Sequence, residues 1–353
     1  MKALAKARLA PKALLLISVA IAATLAACET PPPPPPPPEP VAEAPPPVLL
    51  PSRVIEMAQV YKEYVDRASA IDAGFTGGDA IAASLKTGEN YEISQFQRGE
   101  TAYAAIVALQ DPVFVATMRS FASDAGQRTQ VANAVMRDPF YAASFKGADS
   151  AAGLVIAALS AQGRRIVDAG AKVKQAAYDV QHQSWSKADV PDRPGRLALA
   201  KSLSSVQQRP IEEGGVATLR LAATGTTPMI MSGAPAGPPY TPVVARALAV
   251  AAMASLGQGG EEYTEQLVGL LSEPGASTCL QMAKLNLYQC LAVSKPHYED
   301  VFCLGQHILA DTGQCVIRGA QVAVYVPPAP VALTPVADTQ PVKKAPAKRA
   351  KKK

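Results

Sequence analysis

Apolar positions along the middle of the chain recur at helical spacing. Val54, Ala58, Tyr61, Val65 and Ala68 follow steps of four, three, four and three residues, which puts them on one stripe of a helix beginning near Ser52. The glycine-rich stretch Asp72–Asp79 interrupts that stripe, with Gly74 expected to end one helix and Asp79 to cap the next. The phrases Leu109-Gln-Asp-Pro-Val-Phe114 and Met136-Arg-Asp-Pro-Phe-Tyr141 each set Asp before Pro. An Asp side chain satisfies free amides at a helix start, and Pro at the first helical position gives up no bond, so both phrases predict helix starts.

The longest periodic run is Val155, Leu159, Gln162, Ile166, Ala169, Val173, Ala176 and Val180, again in steps of four and three. Spacing of that kind makes a coiled-coil-like seam, here on a helix over 150–184 about 50 Å long. Gly163 and Gly170 interrupt it, each costing about 1 kcal/mol relative to Ala in a free helix. Something must therefore pack on the seam: the same chain first, a protein partner or a second copy of the chain as the alternative. A shorter helix is expected over 196–207, then a Gly/Pro-rich loop or linker over 223–242 whose Met229 and Met231 are expected to tuck in. Val243–Leu256 is apolar around nearly its whole circumference, the pattern of a helix buried on all sides.

Aromatic residues make up 5% of the 353 residues and no β-branched alternating run stands out, so the fold class is all-α. About ten helices are expected, as a multi-helix bundle or helical array. The domains divide as an α-helical region at 52–222, the loop or linker at 223–242, and a second α-helical region at 243–322.

The N-terminal pattern differs. Lys2, Lys6, Arg8 and Lys12 precede an uncharged run, Ala13–Ala27, shorter than the roughly 20 apolar residues a spanning helix needs. Charge, apolar run and small-residue ending are the three parts of an export signal. Its ending, Leu25-Ala26-Ala27-Cys28, resembles the lipobox of bacterial lipoproteins. The resemblance implies removal of residues 1–27, diacylation of the Cys28 sulfur and acylation of the new amino terminus, so that membrane lipid holds the chain. Glu29 bears on membrane choice, the outer membrane being favoured over the inner. Pro31–Pro38, Pro40 and Pro45–Pro47 then predict a polyproline spacer over 28–51, disordered in the sense of having no folded structure.

Charge changes the picture once it is divided. The chain holds 34 basic and 29 acidic residues, but four of the basic ones lie in the signal and seven between Lys343 and Lys353. The remainder is mildly acidic, with no interleaving of basic and aromatic residues to grip nucleic acid. Residues 323–353 read as a disordered Pro/Lys-rich tail. Its Lys343, Lys344, Lys348, Arg349, Lys351, Lys352 and Lys353 are the candidate anion-binding residues, aimed at an anionic envelope surface such as peptidoglycan or glycolipid.

Cys279, Cys290, Cys303 and Cys315 are the cysteines after Cys28, and an even number in an exported chain argues for disulfides. Cys279 and Cys290 share a helical face but lie about 16 Å apart along the axis, too far to bridge. A turn at Ser294–His297 folds a second helix, expected to end before Gly313, back on the first. That nests Cys290 with Cys303 and Cys279 with Cys315. The arrangement resembles twin-cysteine hairpins of the coiled-coil–helix–coiled-coil–helix type, with ten and eleven residues between cysteines where that family has nine. A metal reading would take Cys303 and His307, one helical turn apart, with His297 and Glu299 nearby; thiol redox chemistry is the other alternative. The expectation is disulfides, with no metal and no cofactor.

Candidate catalytic residues are few. His182-Gln-Ser-Trp-Ser186 lacks a nucleophile elbow, and Trp185 reads as a packing anchor. Glu212-Glu213 and Glu261-Glu262 read as acids at helix starts more readily than as a carboxylate pair acting on peptidoglycan. The function expected is a non-enzymatic lipid-anchored envelope protein on the periplasmic side, tethering or binding through helical surfaces and the basic tail. A helical scaffold for periplasmic assembly is the alternative, and a wall-modifying enzyme comes last.

Overall fold

The computed structural model describes residues 44–320 apart from Pro274 and Ala276. The expected export signal, the expected lipidation site Cys28, most of the expected spacer and the tail from 323 lie outside the described residues. Thirteen α-helices and no strand occur among the described residues. They are α1 (Ser52–Ser69), α2 (Gly78–Glu89), α3 (Ile93–Ala108), α4 (Pro112–Ala122), α5 (Ala125–Arg137), α6 (Ala148–Asp179) and α7 (Arg193–Leu203). Then follow α8 (Glu213–Ala223), α9 (Pro242–Ser255), α10 (Thr264–Leu270), α11 (Thr278–Val293), α12 (His297–Cys303) and α13 (Asp311–Gly319). The fold is all-α, as the periodicity predicts.

One hydrophobic core runs through both expected helical regions, because α9 is buried on nearly every side among helices from the first. It packs on α3, α4, α5 and the 3-10 turn Pro139–Ser144; Pro242 at its start is exposed, and Arg246 reaches outward to Glu273 at 2.7 Å. The stripe of α1 is buried at all five positions, against α3. There Tyr61, Tyr64, Tyr91 and Phe96 form an aromatic cluster with ring centroids 4.8–5.2 Å apart, edge-on except for the tilted pair Tyr91–Phe96.

Helix starts follow the local chemistry, with two differences. Asp111 caps α4 by accepting from the Phe114 amide at 2.7 Å. Asp138 caps through Phe140, but what it opens is the 3-10 turn rather than an α-helix. Asp79 stands in the first turn of α2, with Gly77 at the cap position, and Gly74 lies in a turn beyond the end of α1. The N-terminus of α8 is capped from a distance: Glu63 of α1, buried, accepts from the Ile211 and Glu212 amides at 3.0 and 2.9 Å.

Helix α6 is 32 residues long, and a 3-10 turn at Val180–His182 ends it before Ser184. All eight seam positions are buried, and the chain itself covers α6: α1 and α3 pack on it, and α12, a π-helical turn at Leu304–Ala310 and α13 run antiparallel along it as one continuous rod. The seam thus meets its own chain where a partner was the alternative. The glycines decide how close the two come. A Cβ at Gly163 would lie 2.8 Å from the Gly313 carbonyl oxygen, and one at Gly170 would lie 2.7 Å from the Gly305 carbonyl oxygen and the Ala310 nitrogen. Gly313, expected beyond the end of the helix, instead sits inside α13, because its missing side chain admits the α6 backbone.

The π turn sets the phase of this rod. Gly305 and Gly313, eight residues apart, would stand about 80° apart around a regular α-helix. Bonds from i to i+5 take more residues per turn, which returns both glycines to the α6 side.

Two segments differ from a simple spacer or linker. Residues 44–51, expected in the spacer, lie against the helices: Leu50 is buried, Val48 packs on the core, and Arg119 donates to the Pro46 carbonyl at 3.0 Å. The loop 224–241 crosses the N-terminal end of α6, where the Ala236 amide donates to the Asp149 carbonyl at 2.9 Å. Met229 and Met231 pack on the core as expected, and Ile230 between them faces outward. Among the described residues no single helix is long and apolar enough to cross a membrane.

Candidate functional site

The cysteines are joined as the antiparallel folding predicts. Cys279 pairs with Cys315 and Cys290 with Cys303, with Cα separations of 5.7 Å in both bridges. Spacing alone contains a hidden requirement: Cys303 and Cys315, twelve residues apart, would diverge by about 120° on a regular α-helix. The π turn between them removes that divergence, so both sulfurs reach α11.

The other candidates fall apart in space or are already engaged. Cys303 gives its sulfur to Cys290, so a metal reading through Cys303 and His307 has no thiolate. His307 Nδ1 lies 2.8 Å from Asp311 Oδ2 on the rod. Among the described residues no group of three or more His, Cys, Asp or Glu is arranged to hold a metal ion. Ser186 is buried and donates to the Val180 and Gln183 carbonyls, so its hydroxyl is already engaged. Trp185 packs on the core, and its indole donates to Gln183 Oε1. Glu212 and Glu213 stand at the cap and first turn of α8, and Glu261 opens a 3-10 turn at Glu261–Tyr263.

Two buried polar centres escaped sequence reasoning. In the first, Lys284 of α11 is 4% exposed and lies 3.6 Å from the centre of the Tyr91 ring. Its Nζ donates to Ser204 Oγ at 2.8 Å and to the Glu89 carbonyl oxygen at 3.1 Å, with Glu89 Oε2 at 3.4 Å. Burial lowers the Lys284 pKa to about 8, against the pull of Glu89, while burial raises that of Glu89. Every donor has a destination, so this cluster clamps α11 to α2 and α7. Arg196 of α7 does the same beside it, pairing with buried Asp300 and donating to the Leu291 carbonyl near the end of α11.

The second centre is Glu100 of α3. It is 5% exposed, and its Oε1 has no hydrogen-bond partner. Burial alone raises its pKa to about 8, so the carboxyl is protonated at neutral pH. Glu100 lines a cavity of about 340 Å³ where α3, the start of α9, α11 and the end of α13 converge. Phe96, Val243, Leu280 and Val316 line it with the Cys279–Cys315 bridge. Gly319 stands beside the carboxyl: a Cβ there would come within 3.1 Å of Oε1. No periodic pattern marks this site; the one sequence signal was an acid among the apolar positions of α3, at Gly99-Glu100-Thr-Ala-Tyr-Ala-Ala-Ile106.

A larger open groove of about 690 Å³ lies between α1 and the 207–216 segment, bordered by Arg53, Arg98 and Arg209. Its arginines are partly engaged, Arg53 with Glu265 at 2.8 Å and Arg98 with Ser272 at 3.0 Å.

Comparison of the chain with protein-family models, with curated proteins and with solved structures finds no match.

Proposed function

We propose that this chain is a lipid-anchored, non-enzymatic protein of the cell envelope, facing the periplasm and binding or tethering there. The observation that carries the reading is the export signal ending in Leu25-Ala26-Ala27-Cys28. Cysteine use supports it. Four of the five cysteines pair with one another, which accords with an oxidising compartment, and Cys28 is the one cysteine outside the bridges. The lipid holds the N-terminus, the proline-rich stretch from Pro31 lifts the helices away, and the basic residues between Lys343 and Lys353 meet an anionic envelope surface. Each basic residue near such a surface contributes about 1 kcal/mol, screened by salt.

The test begins with fatty-acid labelling of growing cells and mass measurement of the mature N-terminus. The expected chain starts at a thioether-lipidated Cys28, and Cys28→Ser accumulates as the precursor. A soluble, unacylated chain of full length would refute the anchor. Deleting Lys343–Lys353 is expected to remove the detergent-solubilised protein from peptidoglycan pellets at low salt, with lipidation and fold unchanged.

The scaffold reading draws on one observation. Helix α11 carries a second apolar face, with Met282 49%, Leu285 46% and Val293 74% exposed, opposite the one it buries. Replacing these three with Ser or Gln would release a protein partner captured by cross-linking if that face were the contact, with lipidation unchanged.

A further inference from the structure

We infer that the cavity beside Glu100 is a binding site for a primary ammonium group carried on an apolar stem. The argument begins with what is missing. A buried carboxyl ordinarily has hydrogen-bond partners, because leaving one unmade costs more than the bond contributes. Glu100 Oε1 has none, and no cation among the described residues pairs with it.

The titratable and charged groups near it include Tyr61, Glu273 and Arg318. Tyr61 of α1, whose hydroxyl is likewise buried and unpartnered, has its pKa raised by burial and then by the charge Glu100 carries once ionised. Glu273, on the loop before α11, is engaged with Arg246 of α9. Arg318 of α13 stands exposed at the rim, its guanidinium 4.0 Å from the Cys279 sulfur. The Cys279–Cys315 sulfurs do not titrate.

The chemistry of the walls then selects the ligand. A cavity of about 340 Å³ with Phe96, Val243, Leu280 and Val316 in its walls takes an alkyl or aryl stem; Gln97, Thr241, Glu273 and Arg318 line it besides Glu100, and apolar walls with a few polar groups are the usual form of a small-molecule site. An ammonium brings three donors and the opposite charge. It stabilises the ionised carboxylate, whose charge the empty cavity disfavours, although Oε1 itself is enclosed by the protein. At pH 7 the step balances as neutral carboxyl plus ammonium giving an ion pair plus one proton released to solvent. Gly319 packs against the carboxyl, where an added Cβ would come within 3.1 Å of Oε1. The site does not depend on where in the cell the chain resides.

The probe is n-hexylammonium, with n-hexanol and hexanoate as neutral and anionic controls of the same stem, titrated calorimetrically into the full-length mature protein. Saturable binding of the ammonium is expected, its affinity rising close to tenfold per pH unit between 6 and 8 and levelling above 8. Titration at pH 7 in buffers of different ionisation enthalpy is expected to show one proton released per ligand. Glu100→Gln, which keeps the shape, should lose at least tenfold in affinity together with the pH dependence. Binding of hexanol or hexanoate as tight as that of the ammonium overturns the inference, as does absence of proton release from the unaltered protein. That second measurement needs no variant, so it decides the matter even if Glu100→Gln does not fold. Deleting Lys343–Lys353 identifies the source of the ammonium: unchanged affinity assigns the site to a free amine, and tighter probe binding to a lysine of the chain's own tail.

Discussion

Glu100 couples stability to pH with a sign set by its burial. Its folded pKa is about 8 against an ordinary value of 4.5, so between those limits the folded chain holds a proton that the unfolded chain has released. Stability from this group is fully present below pH 4.5 and is lost as pH rises toward 8, at about 1.4 kcal/mol per unit. Urea denaturation of Glu100→Gln beside the parent protein is expected to show the variant gaining on the parent from pH 5 to pH 8. A constant difference across that range would mean the carboxyl titrates normally. Lys284 behaves differently because it is already paired. Lys284→Met strands Glu89 without its cation and is expected to destabilise by about 3–5 kcal/mol, measurable in the same assay. Replacing Lys284 and Glu89 together by Met should recover much of that loss, since an apolar pair leaves no charge stranded.

Helix packing reverses a rule that holds for isolated helices. Gly170→Ala would stabilise a free α6 by about 1 kcal/mol. Here the added carbon meets backbone atoms of the rod at 2.7 Å, and overpacking of this sort costs about 1–3 kcal/mol. Thermal denaturation is expected to show a net loss for Gly170→Ala and for Gly163→Ala; a gain in Tm would mean the helices sit further apart. This is also where reading the sequence stops short. The stripes of α1, α6 and α9 were legible because apolar spacing reports a buried face directly. The caps at Asp111 and Asp138 were legible because cap chemistry is local, whereas the short 3-10 turn that Asp138 opens in place of an α-helix was not. Gly163 and Gly170 read as weak points because the benefit of a missing side chain lies on a strand of chain some 140 residues away. The cysteine pairing was legible from hairpin folding, whereas the π turn was visible only as a twelve-residue interval between Cys303 and Cys315 that a regular helix does not accommodate. Glu100 left no pattern at all, since one acid among apolar positions looks the same whether it faces solvent or a cavity.

At the scale of the whole molecule, the two bridges close nested loops, with sequence separations of 36 and 13 residues. Chain-entropy arguments give about 4 kcal/mol for the outer bridge alone and about 3 for the inner. They do not add, because closing the inner loop shortens the outer. Reduction is expected to lower Tm without dissolving the core, since α1, α3 and α9 pack independently of either bridge. Loss of all helical circular dichroism on reduction would mean the bridges carry the fold. The Cys279–Cys315 bridge also walls the Glu100 cavity, so the Cys279→Ser/Cys315→Ser variant should weaken ammonium binding more than the corresponding change at Cys290 and Cys303.

The π turn makes the C-terminal rod behave like a screw thread that carries one extra residue. Removing any single residue between Leu304 and Ala310 would let the thread close into an ordinary helix and rotate everything after it by about 100°. Cys315 would then turn from Cys279, Gly313 from α6 and Val316 from the ligand cavity, all through one missing peptide unit. A residue taken from the exposed part of the 224–241 loop would disturb none of them.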